Sequence, residues 1–342
     1  MQNQRYIDAR LTAVVPVDLL RRPAELLRRM VDQVSFPGMS QLKMVIAHND
    51  RGSRHDRALV DVLSRFPHVT LVSHMFYGGA VNNAHLRNRA VEKVDTEMLV
   101  LLDADLHPNP TLLAESSRLL ELQEERLVIL PCLYLTKWAS QRLRTGRETP
   151  DTILGGYFSF RRRYFQHMAS PSSVLVMRTQ DYRDLGGFDE EFQGHGYEDF
   201  DFMLRLAMRH GLVPRTEDLL ENKSFRAPLL AVGFRKYLGR LSLPRLLEKR
   251  VVLHLYHDKP VDSYYHARAK NAVRLQRKLR AYIGTAAGET YCREFLVDEF
   301  LECCRKQGVS AQDYLVLFDT RPGHIDRLSK WTDRLKYVLG MC

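Results

Sequence analysis

Residues 85–106 read HLRNRAVEKVDTEMLVLLDADL, and this stretch decides the fold class. Its front half continues the segment NNAHLRNRAVEKV (82–94), whose apolar residues recur at helical spacing. Its back half, EMLVLLDAD (97–105), is apolar almost throughout and ends in two carboxylates. A strand that is apolar on both faces is covered on both faces, as in parallel sheets, and ligands of such sheets bind outside the strands' carboxyl ends. Asp103 and Asp105 stand two apart, so an extended backbone points both to the same side, into that crevice. Converging carboxylates repel unless a cation or a donor network lies between them. A hard divalent ion, Mg²⁺ or Mn²⁺, suits their oxygens and a diphosphate together. The plain alternative is a turn in which Asp105 caps a helix starting near Pro110.

The same rhythm extends outward in both directions. RLTAVVPV (10–17) is a predicted strand, LLRRPAELLRRMVDQ (19–33) a helix, LKMVIAHND (42–50) a strand, 54–65 a helix and HVTLVSHM (68–75) a strand. PTLLAESSRLLELQEE (110–125) follows as a helix and RLVILPCLYL (126–135) as a fifth strand. About 130 residues of alternating strand and helix argue for an α/β sheet flanked by helices. No G-x-G-x-x-G follows the first strand and no G-x-x-x-x-G-K-[ST] occurs, which argues against a dinucleotide-binding enzyme and a P-loop NTPase. Beyond 135 the rhythm breaks. Residues 138–168 read as a long loop region, SVLVMRT (173–179) as a strand, 197–211 as a helix, 251–258 as a strand-like run and 264–284 as a basic helix. Residues 285–342 read as a helical C-terminal extension without a catalytic pattern. The expected division is 1–284 and 285–342.

Composition narrows the function. The chain has 342 residues, 45% hydrophobic and 27% charged, enough to bury a real core. Its 51 Lys and Arg against 41 Asp and Glu give a net charge of +10, suited to phosphate-bearing ligands, an anionic polymer or an acidic membrane face. The longest apolar runs are about five residues, such as Met98–Leu102, far short of the roughly 20 that span a bilayer. The N-terminus shows no hydrophobic leader region. Five cysteines lack C-x-x-C pairing and His partners at zinc spacing, which fits reduced thiols and a cytoplasmic setting. The basic stretch 235–250 and the helix 264–282 are candidates for an anionic glycan, a lipid-diphosphate carrier or the inner membrane face.

A second acidic cluster lies in GGFDEEFQGHGYEDFDFMLR (186–205), where a Gly-rich bend opens into a helix beginning Glu198-Asp199. Carboxylates there gain from the macrodipole and the free N–H groups of a helix start, which is plain capping. Held rigidly at a cleft edge, one of them also suits a general base. Asp201, two residues on, points elsewhere and reads as structural. His254 and His257 in VVLHLYHDKP stand three apart, so an extended chain puts them on opposite faces and only one can serve as a metal ligand.

The ordered pieces AVVPV (13–17), MVIAHNDRGS (44–53), 85–106 and SVLVMRTQDYRDLGGFDEEF (173–192) resemble a nucleotide-sugar glycosyltransferase of the GT-A fold, a Rossmann-like mixed sheet flanked by helices, near the inverting family 2. GFDEEFQGHGYEDFDFMLRL (187–206) is similar to the C-terminal motif of β-1,4-galactosyltransferases and of GalNAc-transferring enzymes, including bacterial chondroitin-type polymerases, with His195 where those have Trp. The resemblance implies a metal-dependent transfer of Gal or GalNAc from a UDP-sugar to a glycan or lipid-linked acceptor in polysaccharide or capsule synthesis. It implies that Pro16 and Asp50 line the uridine pocket, that Asp103 approaches the ribose or uracil, and that Arg87 sits near the diphosphate. Gly186-Gly187 would let backbone approach the donor sugar. Asp105 and His257, with His254 as the second choice, would hold Mn²⁺ or Mg²⁺. Glu198 would bind hydroxyls and Asp199 would be the base. Competing classes are a nucleotide-sugar enzyme of another reaction type and a basic protein binding nucleic acid or an anionic polymer. Against the first, no Gly-rich basic loop lies between Val15 and Arg29. Against nucleic acid, no recognition motif appears.

Overall fold

The computed structural model describes residues 10–259, 263–284 and 295–320, together with residues 332 and 335. In chain order the strands are β1 (Leu11–Val17), β2 (Lys43–Asn49), β3 (Val69–His74), β4 (Met98–Leu101), β5 (Leu106–His107), β6 (Val128–Ile129), β7 (Cys132–Leu135), β8 (Phe165–Ala169), β9 (Leu175–Arg178) and β10 (Val252–His254). The α-helices are α1 (Pro23–Val34), α2 (Arg54–Leu63), α3 (Asn83–Val91), α4 (Pro110–Glu121), α5 (Lys137–Arg144), α6 (Pro150–Phe158), α7 (Thr179–Asp184), α8 (Glu198–Arg209), α9 (Phe234–Leu247), α10 (Ser263–Ile283) and α11 (Val297–Gln307).

Two compact units emerge, each assembled from separate stretches of chain. The first takes Met1–Val128, Ser173–Arg215 and Lys259–Gly284; the second takes Ile129–Ser172, Thr216–Asp258 and Thr285–Cys342.

In the first unit β1 is central, parallel to β2 on one side and β4 on the other; β3 continues the parallel set beyond β2. β9 runs antiparallel to β4, and β6 lies beyond it at the edge. The expected mixed sheet with flanking helices is therefore present. Val14, Ile46, Leu99, Val100 and Met177 are fully buried in it, so β1, β2, β4 and β9 are its covered centre, while β3 at the edge is only half-buried. Local chemistry sets the helix starts. Pro23 opens α1 at a position where its missing N–H costs nothing. Ser53 and Asp56 form a capping box on α2, with Ser53 N–H donating to Asp56 Oδ2 at 2.8 Å. Asn82 caps α3 by accepting from His85 N at 3.0 Å. Asn109 caps α4 through Leu112 N at 3.1 Å, so capping is not the task of Asp105.

In the second unit β10 pairs parallel with β7, and β7 antiparallel with β8. Its core gathers Leu133, Tyr164, Leu246, Phe300 and Leu317. Two expectations fail in this region. Residues 138–168 are not a loop but hold α5, α6 and β8. Thr136 caps α5 and Thr149 caps α6, signals hidden among the Arg and Gly of that segment. The single strand read at 126–135 is two, because the extended run breaks at Leu130-Pro131, where proline withholds an N–H. In the basic stretch 235–250 two of the cations are buried. Arg235 and Lys236 are 8% and 9% exposed, with Asn222 and Asp218 as partners, and Arg245 pairs with Glu248 at 3.0 Å. Among the described residues no helix is long and apolar enough to cross a membrane.

Leu99 lies in β4 between β1 and β9 and is wholly buried. Leu99→Ala should lower unfolding free energy in urea by about 2–5 kcal/mol. A loss under about 1 kcal/mol would contradict the central place given to β4.

Candidate functional site

The site is built around one side chain, Arg87 of α3, which is 1% exposed. Helical spacing puts Leu86 and Ala90 of α3 against the sheet, and the guanidinium passes under Phe188, whose ring lies 5.1 Å away. Arg87 Nη1 donates to Asp199 Oδ1 at 2.5 Å and Nη2 to Asp103 Oδ1 at 2.9 Å. Ser173 Oγ–H donates to the other Asp103 oxygen at 2.9 Å. Two carboxylates 96 positions apart in the sequence thus meet on one buried cation, which supplies the donors their approach requires. Their side chains stay 30% (Asp103) and 25% (Asp199) exposed, so both face an opening while the cation is sealed beneath.

Asp105 goes elsewhere. β4 ends at Leu101, so the extended-chain rule does not hold for 103 and 105, and the two carboxylates do not converge. Arg22 clamps Asp105 with two bonds of 3.1 and 2.7 Å; Arg29 donates to it as well and also reaches Glu25. Pro23 starts α1 beside this cluster and places Arg22, Glu25 and Arg29 along one side of its first turns.

Glu198 and Asp199 open α8 after Tyr197, which sits at φ +79° and makes no side-chain cap. A left-handed tyrosine is a strained residue, and such strain collects at functional sites. Asp199 is therefore directed to Arg87 rather than to the helix start. Burial raises its carboxyl above the usual range, with Asp103 adding to the rise and Arg87 opposing it. Glu198 is buried, its Oε2 has no hydrogen-bond partner among the described residues, and burial with the neighbouring Asp199 charge pushes it up to about 8. At neutral pH Glu198 keeps its proton while Asp199 faces a cation. Asp201 is structural as expected, held by Arg205 at 3.0 Å, Tyr282 at 2.8 Å and Lys278 at 3.0 Å.

Gly187 has φ +75°, and a Cβ there would come 2.5 Å from Asn88 Oδ1. Asn88 uses that space to tie down the turn, accepting from Phe188 N at 2.8 Å and donating to Phe188 O at 3.0 Å. Pro16 is buried in β1, in register with Ala47. Asp50 follows β2, and its carboxylate accepts from Gly52 N at 2.8 Å. The polar centre at these strand ends is one the sequence reading missed. Asp18, 6% exposed, accepts from Arg51 at 2.9 and 2.7 Å, from Tyr77 at 3.0 Å and from Asn49 at 3.2 Å. Its signal was available: a lone acid directly after a buried strand, as at Asp103.

His254 and His257 lie in the second unit. β10 ends at His254, so the extended-chain argument for opposite faces fails, and the two rings sit 5.4 Å apart. Tyr134 stacks on His254 at 4.1 Å. In both histidines Nδ1 pairs with a backbone carbonyl, Leu255 O at 2.8 Å and Asp258 O at 3.0 Å. Nδ1 is then the protonated nitrogen and Nε2 carries the lone pair, the tautomer that metal-binding histidines use. Asp105 offers hard carboxylate oxygens. Carboxylate oxygen suits Mn²⁺ or Mg²⁺ as a donor type, and imidazole favours Mn²⁺ of the two.

Comparison with known proteins follows from this geometry. Residues 14–281 match the family described as glycosyltransferase like family 2. Among solved structures the chain is similar to S. aureus TarS 1–349, at 15% identity, 58% of this chain, 55% of that chain and a TM-score of 0.38. TarS 1–349 in complex with UDP-GlcNAc matches at 13% identity over 96% of this chain and 81% of that one, TM-score 0.43. The mannosyltransferase PcManGT from Pyrobaculum calidifontis, in complex with GDP-Man and Mn²⁺, matches at 16% identity over 90% and 85%, TM-score 0.38. Among curated proteins none matches.

The Glu198 proton makes stability depend on pH. A carboxyl raised on folding from 4.5 to about 8 binds its proton in the folded state while the unfolded chain has released it. Stability from this group is whole below pH about 4.5 and declines as pH rises toward 8. Urea titrations at pH 5, 6.5 and 8 should show that decline in the parent, and Glu198→Gln should flatten it. Parallel pH profiles for the two proteins would contradict the buried, protonated Glu198.

Proposed function

The chain belongs to glycosyltransferase-like family 2, and from that premise we propose that it transfers Gal or GalNAc from a UDP-sugar to a hydroxyl of a glycan or lipid-linked acceptor, inverting the anomeric centre. The observation that carries this reading is the pairing of Asp199 and Asp103 on buried Arg87 beside the buried Glu198. One guanidinium faces two carboxylates, so the centre keeps an excess of negative charge at its open side. Inverting transfer asks for that arrangement: an ionised base for the attacking hydroxyl, and negative potential near an anomeric carbon that gains positive charge.

The roles follow from the environments. Asp199, anchored through Oδ1, accepts the acceptor proton as the hydroxyl attacks opposite the departing UDP. Glu198, carrying a proton, donates a hydrogen bond to a sugar oxygen, which a carboxylate could not do. Arg87 fixes the direction of the base. Asp103, turned by Ser173, approaches the ribose or uracil side. Pro16, Asp50 and the Asp18–Arg51–Tyr77 group belong to the nucleoside side, at the carboxyl ends of β1 and β2. Gly187 frames the turn beside the donor sugar. Asp105 and His257, with His254 as the alternative, would hold Mn²⁺ or Mg²⁺; when bound, the ion supplies positive charge for the nucleoside diphosphate as it leaves.

Two variants test the assignment. Asp199→Asn should keep UDP affinity within a few-fold and lose about 10²–10⁴-fold in transfer, while Glu198→Gln should raise KM more than it lowers kcat. Transfer near the parental rate in Asp199→Asn would move the base elsewhere. For the metal, Asp105→Asn should abolish Mn²⁺-stimulated UDP binding by calorimetry. Mn²⁺ stimulation that survives in a folded Asp105→Asn protein would remove Asp105 from the metal site.

A further inference from the structure

The loop Gly194–Tyr197, which delivers Glu198 and Asp199, is held from one side by the first turns of α10. His195 N donates to Tyr264 O at 2.9 Å, and Asn271 Nδ2 donates to Gln193 O at 3.0 Å. Both glycines of the loop exist for this approach. A Cβ on Gly194 would stand 2.6 Å from the Ala267 side chain, and one on Gly196 would stand 2.7 Å from Arg268 Nη1.

Arg268 itself is exposed. Its guanidinium lies 4.9 Å from the centre of the Tyr197 ring, and Nη1 lies 3.4 Å from His195 Nε2. α10 contains no acidic residue. Deeper along it, Arg274 pairs with Asp189 and Glu191, and Lys278 with Asp189 and Asp201. Among the described residues no carboxylate pairs with Arg268 or with exposed Lys270. The helix is therefore neutralised where it packs and left cationic where it meets the loop beside the base. An arginine stacked on a tyrosine keeps its N–H edge turned outward, a planar fork matched to a carboxylate or a phosphate.

We propose that the acceptor carries an anionic group, a carboxylate or a phosphate, near its attacking hydroxyl, and that Arg268 binds that group at the edge of the Gly194–Tyr197 loop. The proposal rests on the glycosyltransferase reading above and names the acceptor class for that site. A saccharide bearing the anion fits better than a lipid surface. Arg268 stacks on Tyr197, the residue that precedes Glu198 in the chain, and among the described residues of α10 Val273 is the exposed large apolar side chain, too little for a membrane-inserting face.

The test is direct binding, by calorimetry, of three defined probes in the presence of UDP: a uronic-acid-containing tetrasaccharide, a phosphorylated oligosaccharide and neutral chitotetraose. One of the two anionic probes should bind and the neutral one should not, and which one binds tells carboxylate from phosphate. Affinity should fall with salt. Arg268→Gln should weaken it at least about tenfold, and Arg268→Lys should recover only part, since the charge returns without the fork. Arg277→Gln, on the outer face of the same helix, should change it little. Equal binding of chitotetraose, equal losses in Arg268→Gln and Arg277→Gln, or Arg268-dependent binding to anionic vesicles in place of the saccharides would overturn the proposal. A parent protein that binds UDP but neither anionic probe ends this inference and leaves the donor reading standing. One that does not bind UDP ends the donor reading too.

Discussion

The structure of the first unit depends on a single buried cation. Arg87 lies beneath the ends of the sheet with almost no exposure, and a guanidinium taken out of water is tolerated only when carboxylates surround it. Asp103 comes to it from the end of β4, Asp199 from the start of α8, and Arg87 itself from α3. The ion pairs therefore join an α/β alternation near the N-terminus to a helix more than a hundred residues later. They do so at the place where the sheet opens. The carboxylates that keep the cation buried are the ones to which the proposed function assigns the chemistry.

The distribution of charge carries the same logic outward. Asp105 and Glu25 balance Arg22 and Arg29 in a cluster of their own, apart from the Arg87 centre. Asp18 is covered by Arg51, Tyr77 and Asn49 at the ends of β1 and β2. Each acid that follows a buried strand is thus held by donors before any ligand arrives, which fixes its direction and limits the reorganisation that binding requires. Among the cations behind the net +10, Arg235 and Lys236 are buried with polar partners, whereas Arg268, Lys270 and Arg277 of α10 are exposed.

Hydrophobic periodicity made β1 to β4 and α1 to α4 legible to within a few residues, because β1, β2 and β4 are apolar almost throughout and α1, α2 and α4 are apolar on one face. The carboxylates Asp103, Asp105, Glu198 and Asp199 were also legible, since acids at strand ends and helix starts stand out from their surroundings. Their partners were not. Nothing local in the sequence says that Arg87, and not another of the many arginines, lies under Asp199, 112 positions away. Nor does the spacing of 103 and 105 reveal that the strand stops at Leu101, or that of 254 and 257 that the strand stops at His254. In both places a rule for extended chains was carried past the end of the strand. α5 and α6 were missed because their threonine caps sit in a segment whose Arg and Gly content reads as loop.

The central proposal is that Asp199 acts as the base and that neither carboxylate on Arg87 attacks the sugar, so that transfer occurs in a single displacement. Proton NMR of the first sugar released to water from an α-linked UDP-GalNAc or UDP-Gal donor tests this without knowledge of the acceptor. The account predicts that the β-anomer forms first and mutarotates afterwards. Initial release of the α-anomer would mean retention, and would contradict the role given to Asp199.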